Sequence, residues 1–389
     1  MPSLHISSQF DAGAIEVVSL TEAQDIQLHI RHDNASEFAQ WFYFCLHGAA
    51  GTPVRLRFLN AGASAYPKGW DGYRVAYSDD HQNWFRTDTQ FDGQVLTVDF
   101  TPTGNSVYFA YFEPYSHERH LDLIGSAGHS KHVTLERLGN SLDGRDITLL
   151  QVTHLQSATP LAQKMKIWLI ARQHPGESMA EWFAEGFLAR LLNDADPVSR
   201  VLLDKCVCYV VPNMNPDGAV RGNLRTNAAG ANLNREWAAP NLDTSPEVYW
   251  VRQKMLEVGV DLNLDAHGDE GLPYNFVVGT EDTPGYNARL AALADVFKGS
   301  WLAASPDFQT THGYPRGKHG DANMTLATNW IGQQFDCLAF TVEMPFKDNA
   351  DLPDLQVGWN GERAKRLGAS VLLPVLAVVD RLRASFQAK

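Results

Sequence analysis

The sequence predicts an α/β fold, a mixed and mostly parallel sheet with helices on both faces, preceded by an antiparallel β-sandwich. Two changes of rhythm point to it. Up to about residue 112, short runs alternate apolar and polar residues with a period of two. From about residue 115, longer apolar strands alternate with helical stretches. The expected division is a sandwich over residues 1–114 and a catalytic domain over 115–389.

In the first half, "VRLRF" puts Val54, Leu56 and Phe58 on one face and Arg55 and Arg57 on the other. "WFYFCL" (Trp41 to Leu46), "VLTVDF" (Val95 to Phe100) and "SVYFAYF" (Ser106 to Phe112) are further strands, separated by turn signals such as "DG", "NAG" and "PTGN". Short strands at this spacing, with no helical periodicity between them, indicate a sandwich. In the second half, "ITLLQV", "KIWLIA", "CVCYVV", "VDLNLDAH" and "LAFTVEM" are apolar enough to be buried on both faces, as in a sheet covered by helices. One helix is expected to start at Glu177 and run through "MAEWFAEGFLARLL". Another has Ser245 as N-cap, Pro246 in its first turn and Gly259 as its stop, and a long terminal helix follows Asn360.

Bulk properties narrow the functional classes. A chain of 389 residues suggests two domains, and 44% hydrophobic residues with 20% charged is the composition of a folded globular protein. A formal charge of −13 argues against nucleic acid or an anionic membrane as partner. The longest apolar run, "ASVLLPVLAVV", is short and carries Pro374, so it reads as a buried helix. The N-terminus shows no basic segment followed by an apolar one, so no secretory signal is expected. Cys45, Cys206, Cys208 and Cys337 are too few and scattered for a disulfide framework, which fits a reducing, cytoplasmic setting.

Polar residues collect where an α/β sheet binds ligands, beyond the carboxyl ends of its strands. "IARQHPGESMAEWF" places His174 and Glu177 three apart at the end of one strand. His267, in "AHGDE", and Glu343, in "FTVEMPF", sit at the ends of two others. A lone histidine after a strand is usually a hydrogen-bonded loop residue. Taken together, His174, Glu177 and His267 form a His₂Glu set, one of the standard catalytic zinc sites that leave a fourth position open. Residues i and i+3 lie on one side of a helical turn, so His174 and Glu177 can point at one ion. One Zn²⁺ per chain is therefore expected. Asp265 and Asp269 flank His267, and one of them can accept the other ring N–H; strand alternation puts Asp265 on the face of His267, which favours it slightly.

The ordered set "HPGE", "NMNPDGAVRGNLRTNAAGANLNREW", "DAHG" and "TVEMPF" resembles the zinc carboxypeptidase family. It is most similar to the cytosolic branch, which carries an N-terminal β-sandwich, and the resemblance covers nearly the whole chain. It implies that His174, Glu177 and His267 hold zinc and that Glu343 is the general base. It further implies that Arg225 polarises the scissile carbonyl, while Asn234 and Arg235 hold the substrate's terminal carboxylate. A guanidinium suits that last task because it grips a carboxylate bidentately. The family commonly has a tyrosine some twenty residues before the base; Tyr314 lies further upstream and is not assigned. The cytosolic branch includes enzymes that remove C-terminal glutamates, which makes Arg316 and Lys318 candidates for a basic side-chain pocket.

The expected activity is thus a metallocarboxypeptidase acting on the C-terminus of peptides or proteins, with an acidic residue the favoured substrate. Two alternatives stand beside it. Aspartoacylase-like and succinylglutamate desuccinylase-like enzymes are similar in H-x-x-E, an Asn-Arg pair and a later histidine, but lack the strand-rich first half and the Arg225 motif. A non-catalytic binding protein would be expected to have lost a ligand or the base, and here all four are present.

Overall fold

The computed structural model describes residues 4–315 and 317–383. Among them, ten short strands fill the first 110 residues: β1 (His5–Ser7), β2 (Glu16–Ser19), β3 (Ile26–His29), β4 (Tyr43–His47), β5 (Val54–Phe58), β6 (Ala76–Ser78), β7 (Phe85–Arg86), β8 (Gln90–Phe91), β9 (Leu96–Phe100) and β10 (Ser106–Ala110). They form two five-stranded sheets, in the orders β1-β4-β10-β6-β7 and β2-β3-β5-β9-β8. Alternation decides the faces. Val54, Leu56 and Phe58 of β5 are buried, while Arg55 and Arg57 face outward to Asp99 and Asp25. One pairing departs from the expected antiparallel pattern, since β3 runs parallel to β5. The segment between them carries β4 into the other sheet, so the chain returns to the first sheet in its original direction.

A seven-stranded sheet follows: β11 (Val133–Asn140), β12 (Asp146–Val152), β13 (Met165–Ala171), β14 (Cys206–Val211), β15 (Leu262–Asp269), β16 (Phe276–Val278) and β17 (Leu338–Pro345). Its order is β11-β12-β14-β13-β15-β17-β16. The central strands β14, β13, β15 and β17 are parallel, with antiparallel strands at both edges. Every residue of β14 and β15 is buried, which explains their unbroken apolar runs. The chain leaves β13 for β14 on one side and then jumps to β15 on the other. That reversal opens a crevice at the carboxyl end of β13, where His174 lies.

The helices are α1 (His117–Gly128), α2 (Met179–Leu191), α3 (Pro197–Lys205), α4 (Pro216–Arg221), α5 (Pro246–Val258), α6 (Ala288–Ala304), α7 (Ala327–Phe335), α8 (Gly361–Ser370) and α9 (Leu372–Val378). Helices α5 and α7 pack with Trp168 and Ile170 of β13 on one face of the sheet. Helices α2, α6, α8 and α9 pack with Ile167, Leu169 and Ala171 on the other, in a core continuous with the sandwich. Two helix expectations need correction. The first helix starts at Met179, not Glu177, because Glu177 and Ser178 still form the turn that leaves the strand. The terminal helix is broken at Val371 into α8 and α9. Pro374 has no N–H for the carbonyl of Ser370 and its ring crowds that carbonyl. The helix α5 ends as expected at Gly259, whose φ is 86°.

Candidate active site

Strand ends bring His174, Glu177 and His267 together. The first two sit on the turn between β13 and α2, and His267 is in the last part of β15. Their ligand atoms lie within 4.8 Å of one another, and all three side chains are buried. Both imidazoles present Nδ1: that of His174 is 2.8 Å from Glu177 Oε1, that of His267 is 2.8 Å from Glu177 Oε2, and the two nitrogens are 3.1 Å apart. The far side of each ring has its own acceptor. Nε2 of His174 meets Asn232 Oδ1 at 3.0 Å, and Nε2 of His267 meets Asp265 Oδ2 at 3.0 Å. A neutral ring that donates there keeps a lone pair on Nδ1, so with both rings neutral two lone pairs and a carboxylate converge on one point.

This is a set of acceptors that needs a cation. Burial and the nearby Arg225 guanidinium push His174 down to about 3, so that ring is neutral. At His267 burial pushes the other way from Asp265 and Glu177, whose negative charges win and hold the ring well above its ordinary range. The cage therefore draws positive charge, and a divalent ion fits it better than a proton shared among three groups. Gly268 keeps the space clear. A Cβ there would stand 2.6 Å from Met179 Sδ and 3.2 Å from Glu177 Cγ.

These groups line a cleft of about 660 Å³. Glu343 enters it from β17 because its register partner on the adjacent parallel strand is His267, so the two side chains share a face. Its Oε2 is buried without a hydrogen-bond partner among the described residues, and burial raises the carboxyl well above the usual carboxylate range. Arg225 lies behind Glu177, with Nη1 3.6 Å from Glu177 Oε1. Arg235 and Asn234 line the same cleft. Asn234 Oδ1 accepts from the amide of Ala327 at 2.9 Å, which leaves its NH₂ group to donate. Arg235 has no ion-pair partner among the described residues, and its one close polar contact is Nη1 to the carbonyl of Asn234 at 2.7 Å. The cleft thus combines a cluster of acceptors with uncommitted donors.

Two basic residues predicted for a side-chain pocket do not add to this picture. Arg316 lies outside the described residues. Lys318 is exposed and is not among the residues lining the cleft. Conversely, Tyr314 does reach the site. Its hydroxyl bonds to Asp269 and lies 3.4 Å from Glu343 Oε1, although it precedes Glu343 by 29 residues. Tyr314 lies on the segment between α6 and α7, further from Glu343 than the expected spacing allows, and that distance hid it. Glu270 also lines the cleft, buried and pushed up to about 8 by burial, with Oε1 unpartnered. It was legible only as the last letter of "AHGDE". The sandwich supplies a wall through Ala65, Tyr66, Pro67, Lys68 and Gly69, which nothing in the sequence marks. Asp265 does serve His267 as its face predicts, whereas Asp269 turns to Tyr314 and to the amides of Gly271 and Leu272.

Comparison with known proteins gives a consistent family. Residues 121–352 match the zinc carboxypeptidase family and residues 6–112 match the cytosolic carboxypeptidase N-terminal domain. A protein of Zymomonas mobilis is 45% identical over 98% of both chains. Mouse cytosolic carboxypeptidase 1 is 26% identical over 64% of this chain, a match that spans 24% of the mouse protein. Among solved structures, the metallo-carboxypeptidase of Burkholderia cenocepacia is 50% identical, with a TM-score of 0.94 over 97% of this chain and 99% of that one. The metallo-carboxypeptidase of Pseudomonas aeruginosa, in complex with (2-guanidinoethylmercapto)succinic acid, is 48% identical, with a TM-score of 0.93 over 97% and 100%.

Proposed function

The chain is a metallocarboxypeptidase of the zinc carboxypeptidase family, and on that premise we propose that it removes single residues from the C-termini of peptides or proteins. The observation that carries this reading is the polarity of the cleft. The cleft is lined both by an acceptor cage fit for a metal and by the guanidinium of Arg235, which has no ion-pair partner among the described residues, with the amide of Asn234. A free carboxylate held by Arg235 and Asn234 brings the last peptide bond to the cage.

His174, Glu177 and His267 would hold Zn²⁺, which supplies Lewis acidity and lowers the pKa of a water from 15.7 to roughly 7. The chain's own groups do the rest. Glu343 is buried beside that cage with one oxygen unpartnered, and as general base it takes a proton and later returns it to the departing amine. Arg225 stabilises the charge that develops on the carbonyl oxygen. Arg235 and Asn234 bind the terminal carboxylate and so restrict the enzyme to chain ends.

The favoured leaving residue is acidic. Support comes from Lys68 of the sandwich wall, a cation lining the cleft that neither the carbonyl nor the terminal carboxylate uses. A cytoplasmic site of action agrees with four unpaired, buried cysteines and with the name of the matched N-terminal domain. No helix among the described residues is long and apolar enough to cross a membrane.

Peptides differing only in the last residue (Glu, Asp, Lys, Phe or Leu), incubated with zinc-loaded enzyme and read by mass spectrometry, test the proposal. Stepwise trimming abolished by a chelator supports it, and loss of Glu and Asp alone supports the acidic preference. Intact peptides in the presence of bound zinc would sink the exopeptidase reading and turn attention to N-acyl amino acids.

A further inference from the structure

The sandwich does more than wall the cleft, for it clasps the loop that carries Arg225. Asp33, 5% exposed and rooted in the sandwich, directs its carboxylate at three successive backbone amides of the catalytic domain. Leu224 N donates to Oδ1 at 2.6 Å, and Arg225 N and Thr226 N donate to Oδ2 at 2.8 and 2.9 Å. The hydroxyl of Thr226 adds a fourth bond at 3.0 Å. Consecutive amides converging on one anion form a concave nest, and charge-assisted bonds of this kind are roughly twice as strong as neutral ones. Here the anion is a side chain of the other domain.

Two more sandwich residues hold the far end of the same arginine. The guanidinium lies 5.9 Å from the ring centroid of Phe38 and 5.5 Å from that of Tyr66. Neighbouring contacts continue the clasp: Asn223 Nδ2 donates to Asn34 Oδ1 at 2.6 Å, and Asn34 Nδ2 donates to the carbonyl of Ala228 at 2.7 Å. Within the catalytic domain Arg225 has the long contact to Glu177 and the nearby charges of Glu270 and Glu343, and its Nε has no partner among the described residues. The backbone from which this arginine reaches is therefore fixed from the sandwich.

We infer that Asp33 is a positioning residue for catalysis: by fixing the backbone of residues 224–226 it aims the Arg225 guanidinium at the reacting carbonyl. The inference rests on the role proposed for Arg225. It predicts a particular kinetic signature, because an arginine that acts on developing charge is felt in the transition state and little in substrate binding.

The test is a double-mutant cycle on the zinc-loaded full chain, using Asp33→Ala, Arg225→Ala and the pair, with kcat, KM and bound zinc measured for each. The expected result for Asp33→Ala is a fall in kcat of about tenfold to a hundredfold, a part of the 10²–10³ that an oxyanion-type donor supplies. KM should change little and zinc should stay stoichiometric. In the Arg225→Ala background the second change should cost nothing further, since there is no guanidinium left to aim. Multiplying effects would overturn the inference, as would an unchanged kcat in Asp33→Ala alone. If Arg225→Ala itself leaves kcat intact, the role of Arg225 fails first and the inference falls with it. Should Asp33→Ala not fold, Asp33→Asn keeps the shape and one acceptor oxygen while setting an NH₂ group against an amide donor. It should show the same kcat-selective loss in smaller degree, and a loss confined to thermal stability would count against positioning.

Discussion

On the catalytic-sheet wall of the cleft, the functional groups come mainly from strand ends and the turns and loops that follow them, whereas the sandwich wall is a short segment running into a 3₁₀ turn, Pro67–Trp70. His267 and Glu343 are register partners on the parallel strands β15 and β17, and His174 sits on the turn that leaves the neighbouring parallel strand β13. The sandwich wall is the segment Ala65–Gly69, pinned by the buried side chain of Gln40, which accepts from Tyr66 N at 2.7 Å and donates to Tyr66 O at 3.1 Å. One wall carries the reacting groups on rigid elements and the other holds and screens them. Precision in this site therefore depends on both domains, although the chemistry belongs to one.

That division can be broken at graded cost. The largest effect is expected at the sheet wall, where Glu343→Gln keeps the carbonyl oxygen and the shape but cannot take a proton. Turnover should drop by on the order of 10²–10⁴, with zinc content unchanged by metal analysis. A variant that stays fully active would remove Glu343 from the mechanism. Next comes Arg225→Ala, expected to cost about 10²–10³ in kcat.

Arg235→Ala should act on binding instead. Loss of a charge-assisted pair of roughly 1.5–3 kcal/mol corresponds to about a ten- to hundredfold higher KM for peptides with a free C-terminus. Peptide amides give the control, and an equal effect on both would deny the carboxylate role. At the sandwich wall Lys68 is exposed, where charge pairs are weak. Lys68→Ala should lower kcat/KM for peptides ending in Glu by only a few-fold, and leave those ending in Leu unchanged. A uniform loss would assign Lys68 to the wall rather than to selectivity.

The smallest effect is on stability. Glu247 of α5 is buried beside Asn227, in the segment that follows the clasped loop, with Asn227 Nδ2 3.1 Å from Oε2. Burial pushes its carboxyl up to about 7 from an ordinary 4.5. Above 4.5 the unfolded chain has lost this proton while the folded chain keeps it. Folding stability should therefore decline as pH rises from about 4.5 to about 7 and level off beyond. Glu247→Gln should flatten that part of a melting-temperature profile and raise the midpoint at pH 8. An unaltered profile would show that Glu247 is ionised in the folded protein.

Much of the fold was readable because burial leaves a pattern in residue order. Period-two runs marked β5, β9 and β10, and unbroken apolar runs marked β14 and β15. Errors arose where a distant or local constraint overrode the pattern. Apolar continuity across residues 371–379 concealed the break that Pro374 makes, and the parallel β3/β5 pair follows from a chain excursion through the other sheet. In the site, the candidate metal cage and Glu343 were legible because each sits at a strand end with a local motif. Tyr314 was not, because its place depends on how the segment between α6 and α7 folds back over the cleft.

The sequence by itself determined which residue types stand at which strand ends, and with them the fold class and the chemistry open to this protein. Those are matters of local order: a strand's alternation and an H-x-x-E spacing are written within a few residues. Only the tertiary structure decided what surrounds them. Asp33 meets Leu224 across 191 residues of chain, and Gln40 shapes a wall opposite a cage built more than a hundred residues later. A hydrogen bond requires that donor and acceptor be close in space, not in sequence. Such partners therefore leave no periodic trace and become visible only when the two domains share one core.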